Sequence, residues 1–270
     1  MPKNHMPHAT RYSLTVGWLY PELMNTYGDR GNIIVLQKRC EWRGINVKIE
    51  KISLDTPYSI LNTCDLIFMG GAQDTQQEIV NKDLFEKKGK TLKEKIESGT
   101  PGLYICGAYQ FLGKYYKTAD GTILPGLDIF PVYTENPGEQ EARLIGNIVV
   151  EASSVWRVAG SKTTSHELQA TSQVVGFENH GGRTFLEDTS MAFATVEIGF
   201  GNNGKDKTEG IIYKNSIGSY LHGPILPKNP ELSDWLIQKA LEVKLGKEVI
   251  LEALDDSLEH KAKDFVLSRK

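Results

Sequence analysis

An α/β fold with a mostly parallel central sheet flanked by helices follows from three features of the sequence. Short apolar runs end abruptly in Gly or Pro, as buried parallel strands do. Segments with helical spacing alternate with those runs through the first half of the chain. The composition, 40% hydrophobic and 24% charged over 270 residues, is that of a chain able to bury a core.

Ser13–Tyr20 (SLTVGWLY) is rich in β-formers and stops at Pro21. Asp29 to Arg43 carries Ile33, Leu36 and Cys40 at helical spacing, with Gly44 as its stop and Asp29 as its expected N-cap. Ile45–Ile52 alternates Ile45, Val47 and Ile49 with polar residues, which predicts a half-buried strand. Cys64–Met69 (CDLIFM) is a buried-strand run closed by Gly70 and Gly71. Leu84–Glu97 predicts a lysine-rich helix, Gly102–Ile105 a strand, and Gly107–Tyr116 a helix directly after it.

From about residue 130 to 221 the pattern breaks into short β-like pieces: Leu144–Val150, Gln173–Phe177, Ala192–Glu197, Gly210–Tyr213 and Ser216–Leu221. Gly201–Gly210 (GNNGKDKTEG) predicts a surface hairpin tip. Asn229 and Pro230 cap a C-terminal helix whose apolar face is Leu232, Trp235, Leu236, Ala240 and Val243. Leu251, Leu254 and Leu258 predict a last short helix. Residues 1–11 read as a loose terminus and 12–270 as one domain, with no internal repeat or linker between them.

The charge balance narrows the function classes. Lys plus Arg number 31 and Asp plus Glu 34, a net charge of −3, so no basic excess points to nucleic acid. Cys40, Cys64 and Cys106 form no CxxC pair, so neither a disulfide framework nor a zinc site is expected, and no metal is assigned. The opening MPKNHMPHAT lacks an apolar signal core, and no run approaches the roughly 20 apolar residues of a membrane span. A cytoplasmic enzyme or enzyme subunit, not inserted in a membrane, is the expectation.

The most informative segment is Ile105–Gly113 (ICGAYQFLG), where a cysteine stands at a strand-to-helix junction. Such a bend lifts the side chain out of the sheet and aims a helix N-terminus at it, which favours a thiolate. Elsewhere in a chain a lone cysteine is a small buried residue; here the junction favours a nucleophile. The base can come from far along the chain. His5 and His8 lie in the terminus, His166 in a loop and His260 in a charged helix. His222 follows the predicted strand Ser216–Leu221, at the sheet end where ligands bind in parallel sheets. His180, in the polar turn Glu178–Gly182 (ENHGG), suits binding or capping.

Ile105–Gly113 together with Ser219–Pro224 (SYLHGP) resembles the triad-type, class I glutamine amidotransferases, in the branch found in cobyric and cobyrinic acid synthases. Asn25–Asn32 (NTYGDRGN), Glu141–Asn147 (EARLIGN) and His222–Asn229 (HGPILPKN) resemble the glutaminase subunits of bacterial lipid II isoglutaminyl synthases. The likeness runs from about Leu14 to Val243.

The resemblance implies hydrolysis of the glutamine amide, with Cys106 as nucleophile and His222 as base. It implies an oxyanion hole from Gly71, Ala72 and Gly107, and substrate contacts from Gln110, Asn179, His180 and Gly181. Arg143 is placed to fork a carboxylate, although a solvated surface arginine fits its spacing nearly as well. Three other readings stay open: a glutaminase for cobyrinic-type amidation, a non-catalytic relative that only docks a partner, and a cysteine peptidase or other thiol hydrolase on a similar elbow.

One departure stands out. Many triad amidotransferases carry an acid two residues after the histidine, and here position 224 is proline. Glu178, Glu197 and Glu209 are the alternatives on this chain, none supported by spacing, so a partner subunit is expected to complete or order the site. No GxxxxGK[ST] phosphate loop is present. The resemblance therefore implies no cofactor here, with ATP and Mg on a Mur-ligase-like synthetase that forms a heterodimer with this chain in cell-wall peptidoglycan synthesis.

Overall fold

The computed structural model describes residues 12–72, 74–138, 140–153 and 173–269. The expectations for the N-terminus, His5, His8 and His166 lie outside the described residues.

In chain order the first half runs β1 (Ser13–Leu19), α1 (Arg30–Trp42), β2 (Asn46–Ile52), β3 (Leu66–Met69), α2 (Asp74–Asp83), α3 (Gly89–Glu97), β4 (Gly102–Ile105) and α4 (Gly107–Leu112). The second half runs β5 (Tyr115–Lys117), β6 (Ile123–Pro125), β7 (Val132–Glu135), β8 (Leu144–Ala152), β9 (Gln173–His180), β10 (Arg183–Leu186), β11 (Ala194–Ile198), β12 (Thr208–Glu209), β13 (Ile211–Tyr213) and β14 (Ser216–Ser219). Two helices follow, α5 (Pro230–Leu245) and α6 (Ser257–Leu267).

The central sheet has six strands in the order β13-β14-β4-β3-β1-β2. All its pairings are parallel except β13 with β14. Strands β3 and β4 are buried along their whole length, which is why they lack alternation; β2, at the edge, alternates. Two four-stranded sheets, β10-β7-β5-β6 and the antiparallel β12-β11-β8-β9, account for the broken second half. An isolated bridge between Phe177 and His222 joins β9 to the end of the central sheet. The cavity described below lies at that seam.

Helix α1 positions one side of it. Arg39, 1% exposed, pairs with Asp234 and Asp256 at 2.6 Å each and so ties α1 to α5 and to the start of α6. The first turn of α1 holds the loop after β14: a β-carbon on Gly31 would sit 2.3 Å from Pro224, and Asn32 Oδ1 accepts the Leu226 N–H at 3.0 Å.

Four expectations need correction. α2 precedes the expected helix, and Leu84–Lys88 is a π-helical turn between α2 and α3 rather than part of one helix. Within it Lys88 is fully buried, paired with Asp83 and bonded to the Leu54 carbonyl. The helix after Cys106 ends at Leu112, because Gly113 is extended and Tyr115–Lys117 enters a sheet. Leu251 and Leu254 precede α6 instead of lining it. Asn229 starts α5 but makes no side-chain cap; its amide pairs with both backbone groups of Val175 in β9. Among the described residues no helix is long and apolar enough to cross a membrane.

Candidate active site

Cys106 is the sharp point of the central sheet. Its backbone (φ 52°, ψ −105°) lies outside the regions open to ordinary L-residues, a strain that persists only where the surroundings fix it. The fixing contacts are visible: its N–H donates to Ser219 O at 2.8 Å, and its carbonyl accepts from Gln110 N at 3.0 Å. A β-carbon on Gly107 would lie 3.0 Å from Gln77 Nε2 and 3.5 Å from Ala72 N. The turn after β3 is therefore pressed against the start of α4, where the first N–H groups have no acceptor within the helix.

His222 reaches the same point from the end of β14. A β-carbon on Gly71 would lie 2.7 Å from His222 Cε1 and 3.3 Å from Cys106 Cβ, so both side chains close over this glycine. The imidazole is fully buried and its Nδ1 lies 3.3 Å from Oδ1 of the equally buried Asp29. Burial disfavours a charged ring, yet the Cys106 sulfur and the Asp29 carboxylate outweigh it and lift the pKa from 6.5 to about 10.

The third group is thus Asp29, on this chain. Its expected role as a helix cap does not hold: it stands at the N-cap position but makes no side-chain cap bond. The other carboxylates are committed elsewhere. Glu178 accepts the N–H groups of Phe200 and Gly201 at 2.7 and 2.9 Å. Glu209 accepts from Ser219 Oγ and Tyr220 N at 2.7 and 2.8 Å. Glu197 takes Gln173 at 2.7 Å near the surface. No partner subunit is needed to bring an acid to His222.

Asp29 also changes the oxyanion assignment. The Gly71 N–H donates to Asp29 Oδ2 at 2.7 Å, so it is spent on holding the acid and is not free for an oxyanion. Ala72 and Gly107 remain, and Gln77, whose amide donates to Ala72 O at 3.0 Å, steadies their turn.

A cavity of about 400 Å³ opens beside Cys106 and gathers the other expected residues. Gln110, Arg143, Asn179, His180, Gly181 and His222 all line it, with Ala72. Gln110 Nε2 donates to Tyr220 OH at 3.1 Å. His180 lies at the end of β9 rather than in a turn; its ring stacks on Tyr220 with centroids 3.6 Å apart, and Nδ1 sits 2.7 Å from Gly182 O. Burial pushes its pKa below the usual histidine value. Arg143 is exposed at the mouth, with Nε and Nη2 each 2.9 Å from Asn179 oxygens.

Gln77, Tyr220 and Tyr27 also build the site, without a motif of their own to announce them. Tyr27 packs edge-on against His222 with centroids 5.1 Å apart and accepts from Asn179 Nδ2 at 2.7 Å. Its positive φ of 57° costs a residue with a β-carbon roughly 1–2 kcal/mol. The only signal in the sequence was the NTYGDRGN stretch that also holds Asp29.

Among the described residues, no group of three or more His, Cys, Asp or Glu side chains could hold a metal ion. The arrangement is that of a thiol nucleophile, an imidazole and a buried carboxylate around one glycine turn, facing a polar pocket of amino-acid size. Comparison with known proteins agrees with it. Residues 15–230 match the family described as CobB/CobQ-like glutamine amidotransferase domain. The chain is 42% identical over 96% of its length to the glutamine-hydrolysing lipid II isoglutaminyl synthase subunit GatD of Staphylococcus aureus, covering 96% of that protein. It is 38% identical over 92% of its length to the subunit of the same name from Streptococcus pneumoniae, covering 88% of it. A cobyric acid synthase of Moorella thermoacetica is 27% identical over 67% of this chain, which spans 33% of that longer protein. A cysteine at a strained bend, a histidine beside it and a match over most of the chain place this protein in the CobB/CobQ-like glutamine amidotransferase family, among the glutamine-hydrolysing subunits of lipid II isoglutaminyl synthases.

Proposed function

We propose that this chain is the glutaminase subunit of a lipid II isoglutaminyl synthase: it hydrolyses L-glutamine and hands the ammonia to a synthetase. The observation that carries the reading is the closure of Cys106 and His222 over Gly71, with Asp29 behind the imidazole. The Cys106 sulfur attacks the side-chain carboxamide carbon, and the carbonyl electron pair moves onto oxygen. The N–H groups of Ala72 and Gly107 receive that charge. His222, which takes the Cys106 proton as the sulfur attacks, gives it to the leaving nitrogen, so ammonia departs and a γ-glutamyl thioester remains. The neutral imidazole then takes a proton from water as its oxygen attacks the thioester carbon; the C–S bond breaks, glutamate leaves, and the imidazole returns the proton to the sulfur. Asp29 keeps the ring oriented and supports its positive form. Gln110, Arg143, Asn179, His180 and Gly181 hold the amino-acid end of the substrate.

Ammonia released to water near neutral pH becomes ammonium, so transfer needs a closed path into a second enzyme. The relatives' designation as subunits supports a partner of this kind. We assign the partner as a Mur-ligase-like synthetase forming a heterodimer with this chain in the cytoplasm. With ATP and Mg it activates the α-carboxylate of D-glutamate in lipid II, and ammonia converts that group to D-isoglutamine during peptidoglycan synthesis. No cofactor is assigned to this chain.

The test uses glutamine labelled with ¹⁵N at the amide, the synthetase and lipid II. The expected result is ammonia release and label in the lipid II carboxamide. Cys106→Ala should lose both by about 10⁴-fold or more while its thermal melt is retained. Ammonia release unchanged in that variant would refute the assignment.

A further inference from the structure

Tyr27 touches both sides of the cavity at once. Its ring meets the His222 ring edge-on, at 5.1 Å and an interplanar angle of 78°. Its hydroxyl accepts from Asn179 Nδ2 at 2.7 Å, and Asn179 accepts from Arg143 through its side-chain and backbone oxygens. Tyr27, Asn179 and Arg143 come from three remote segments and make one continuous strap across the cavity mouth. Core packing does not account for it, because Tyr27 is 48% exposed and gains little from burial. Its backbone is nevertheless held in the left-handed region (φ 57°, ψ 26°). The segment is pinned on both sides: Thr26 N–H donates to Gly71 O at 3.1 Å, and Arg30 N–H to Asn25 Oδ1 at 2.7 Å. Strain kept at an exposed aromatic beside a reactive ring marks a functional constraint.

We propose that Tyr27 is a positioning residue that fastens the carboxylate-binding arm, Asn179 with Arg143, to the catalytic imidazole. The inference rests on the glutaminase reading and deepens it. Arg143 spends Nε and Nη2 on Asn179, leaving Nη1, and the Tyr27 hydroxyl keeps its own hydrogen to donate. Both are donors, suited to the free α-carboxylate of an amino acid rather than to the amide of a peptide-bound glutamine. Occupying the arm also seats the ring edge that shields His222 from water.

The experiment measures kcat and KM for glutamine in the complex with the synthetase, for the wild type, Tyr27→Phe and Tyr27→Leu. Tyr27→Phe keeps the ring and loses the hydroxyl; KM should rise about five-fold with kcat within about two-fold. Tyr27→Leu loses both, so KM should rise at least as far and kcat should fall about ten-fold. Thermal melts of both variants show whether the fold is kept, which the exposure of the side chain favours. Wild-type KM and kcat in both variants, whatever the melts do, would overturn the proposal and leave the glutaminase reading standing. A wild-type complex that releases no ammonia from glutamine would overturn both.

Discussion

His222 and His180 line the same cavity, are both sealed from solvent, and are driven in opposite directions. Burial disfavours the charged ring in each. At His222 the Cys106 sulfur and the Asp29 carboxylate reverse that effect and raise the pKa of the ring to about 10. At His180 the nearest acid, Glu178, is 3.8 Å away and already engaged by two backbone N–H groups, so burial wins and the ring stays neutral. The walls differ in the same way. The end of the parallel sheet gathers a thiol, an imidazole and a carboxylate, a set able to move a proton, whereas on the β9–β10 wall the His180 ring is neutral, bonded to Gly182 O and stacked on Tyr220. The type of residue does not assign a histidine its task; the charges within a few ångströms do.

The largest effect expected outside the nucleophile is at Asp29. Asp29→Asn keeps the size of the side chain but removes the charge behind His222 and alters the acceptor for the Gly71 N–H. We expect kcat to fall on the order of 10²–10⁴-fold with little change in KM. The high-pH limb of the kcat profile should also move down from about 10, because the imidazolium loses one of the two groups that raise it. A KM effect with an unchanged pH profile would erase the distinction between the walls.

On the opposite wall, His180→Phe preserves the stack on Tyr220 and deletes the contact with Gly182 O. One hydrogen bond is worth about 1 kcal/mol, so KM for glutamine should rise about five-fold while kcat stays within about two-fold. A kcat loss as deep as that of Asp29→Asn would mean that His180 takes part in proton transfer.

The two walls were also unequally legible in the sequence. Cys106 and His222 could be read because a strand–cysteine–glycine–helix junction and a strand-end histidine are local signals. Strands β3 and β4 were legible for the same reason, as unbroken apolar runs. Asp29 is visible in the sequence as a residue, but its role is not. Nothing in its spacing discloses that 193 positions of chain bring His222 back to it, and a helix cap is the local alternative for any aspartate before a helix. Gly71 was misassigned by the same blindness, since its donor is claimed by that same carboxylate. In the π-helical turn at Leu84–Lys88, Lys88 bonds the Leu54 carbonyl, a tertiary contact that helical periodicity does not encode.

The smallest expected effect sharpens the contrast from beneath the binding wall. Glu209 is wholly buried, and burial lifts its carboxyl from 4.5 to about 8, against the bonds from Ser219 and Tyr220 and with the repulsion of nearby Glu178. Between those two pH values the folded protein holds a proton that the unfolded chain has already released. Stability therefore declines as pH rises through this range, and the decline is complete once the pH passes the folded value. Glu209→Gln keeps an oxygen for Ser219 and Tyr220 and never ionises, so that part of the decline should vanish. Thermal melts from pH 5 to 9 should show a wild-type Tm that falls by several degrees more than that of the variant. His222 loses its proton near 10 in both proteins, so its own contribution cancels from the difference. Parallel curves for wild type and variant would mean that Glu209 is ionised throughout despite its burial, and would overturn the account of its raised pKa.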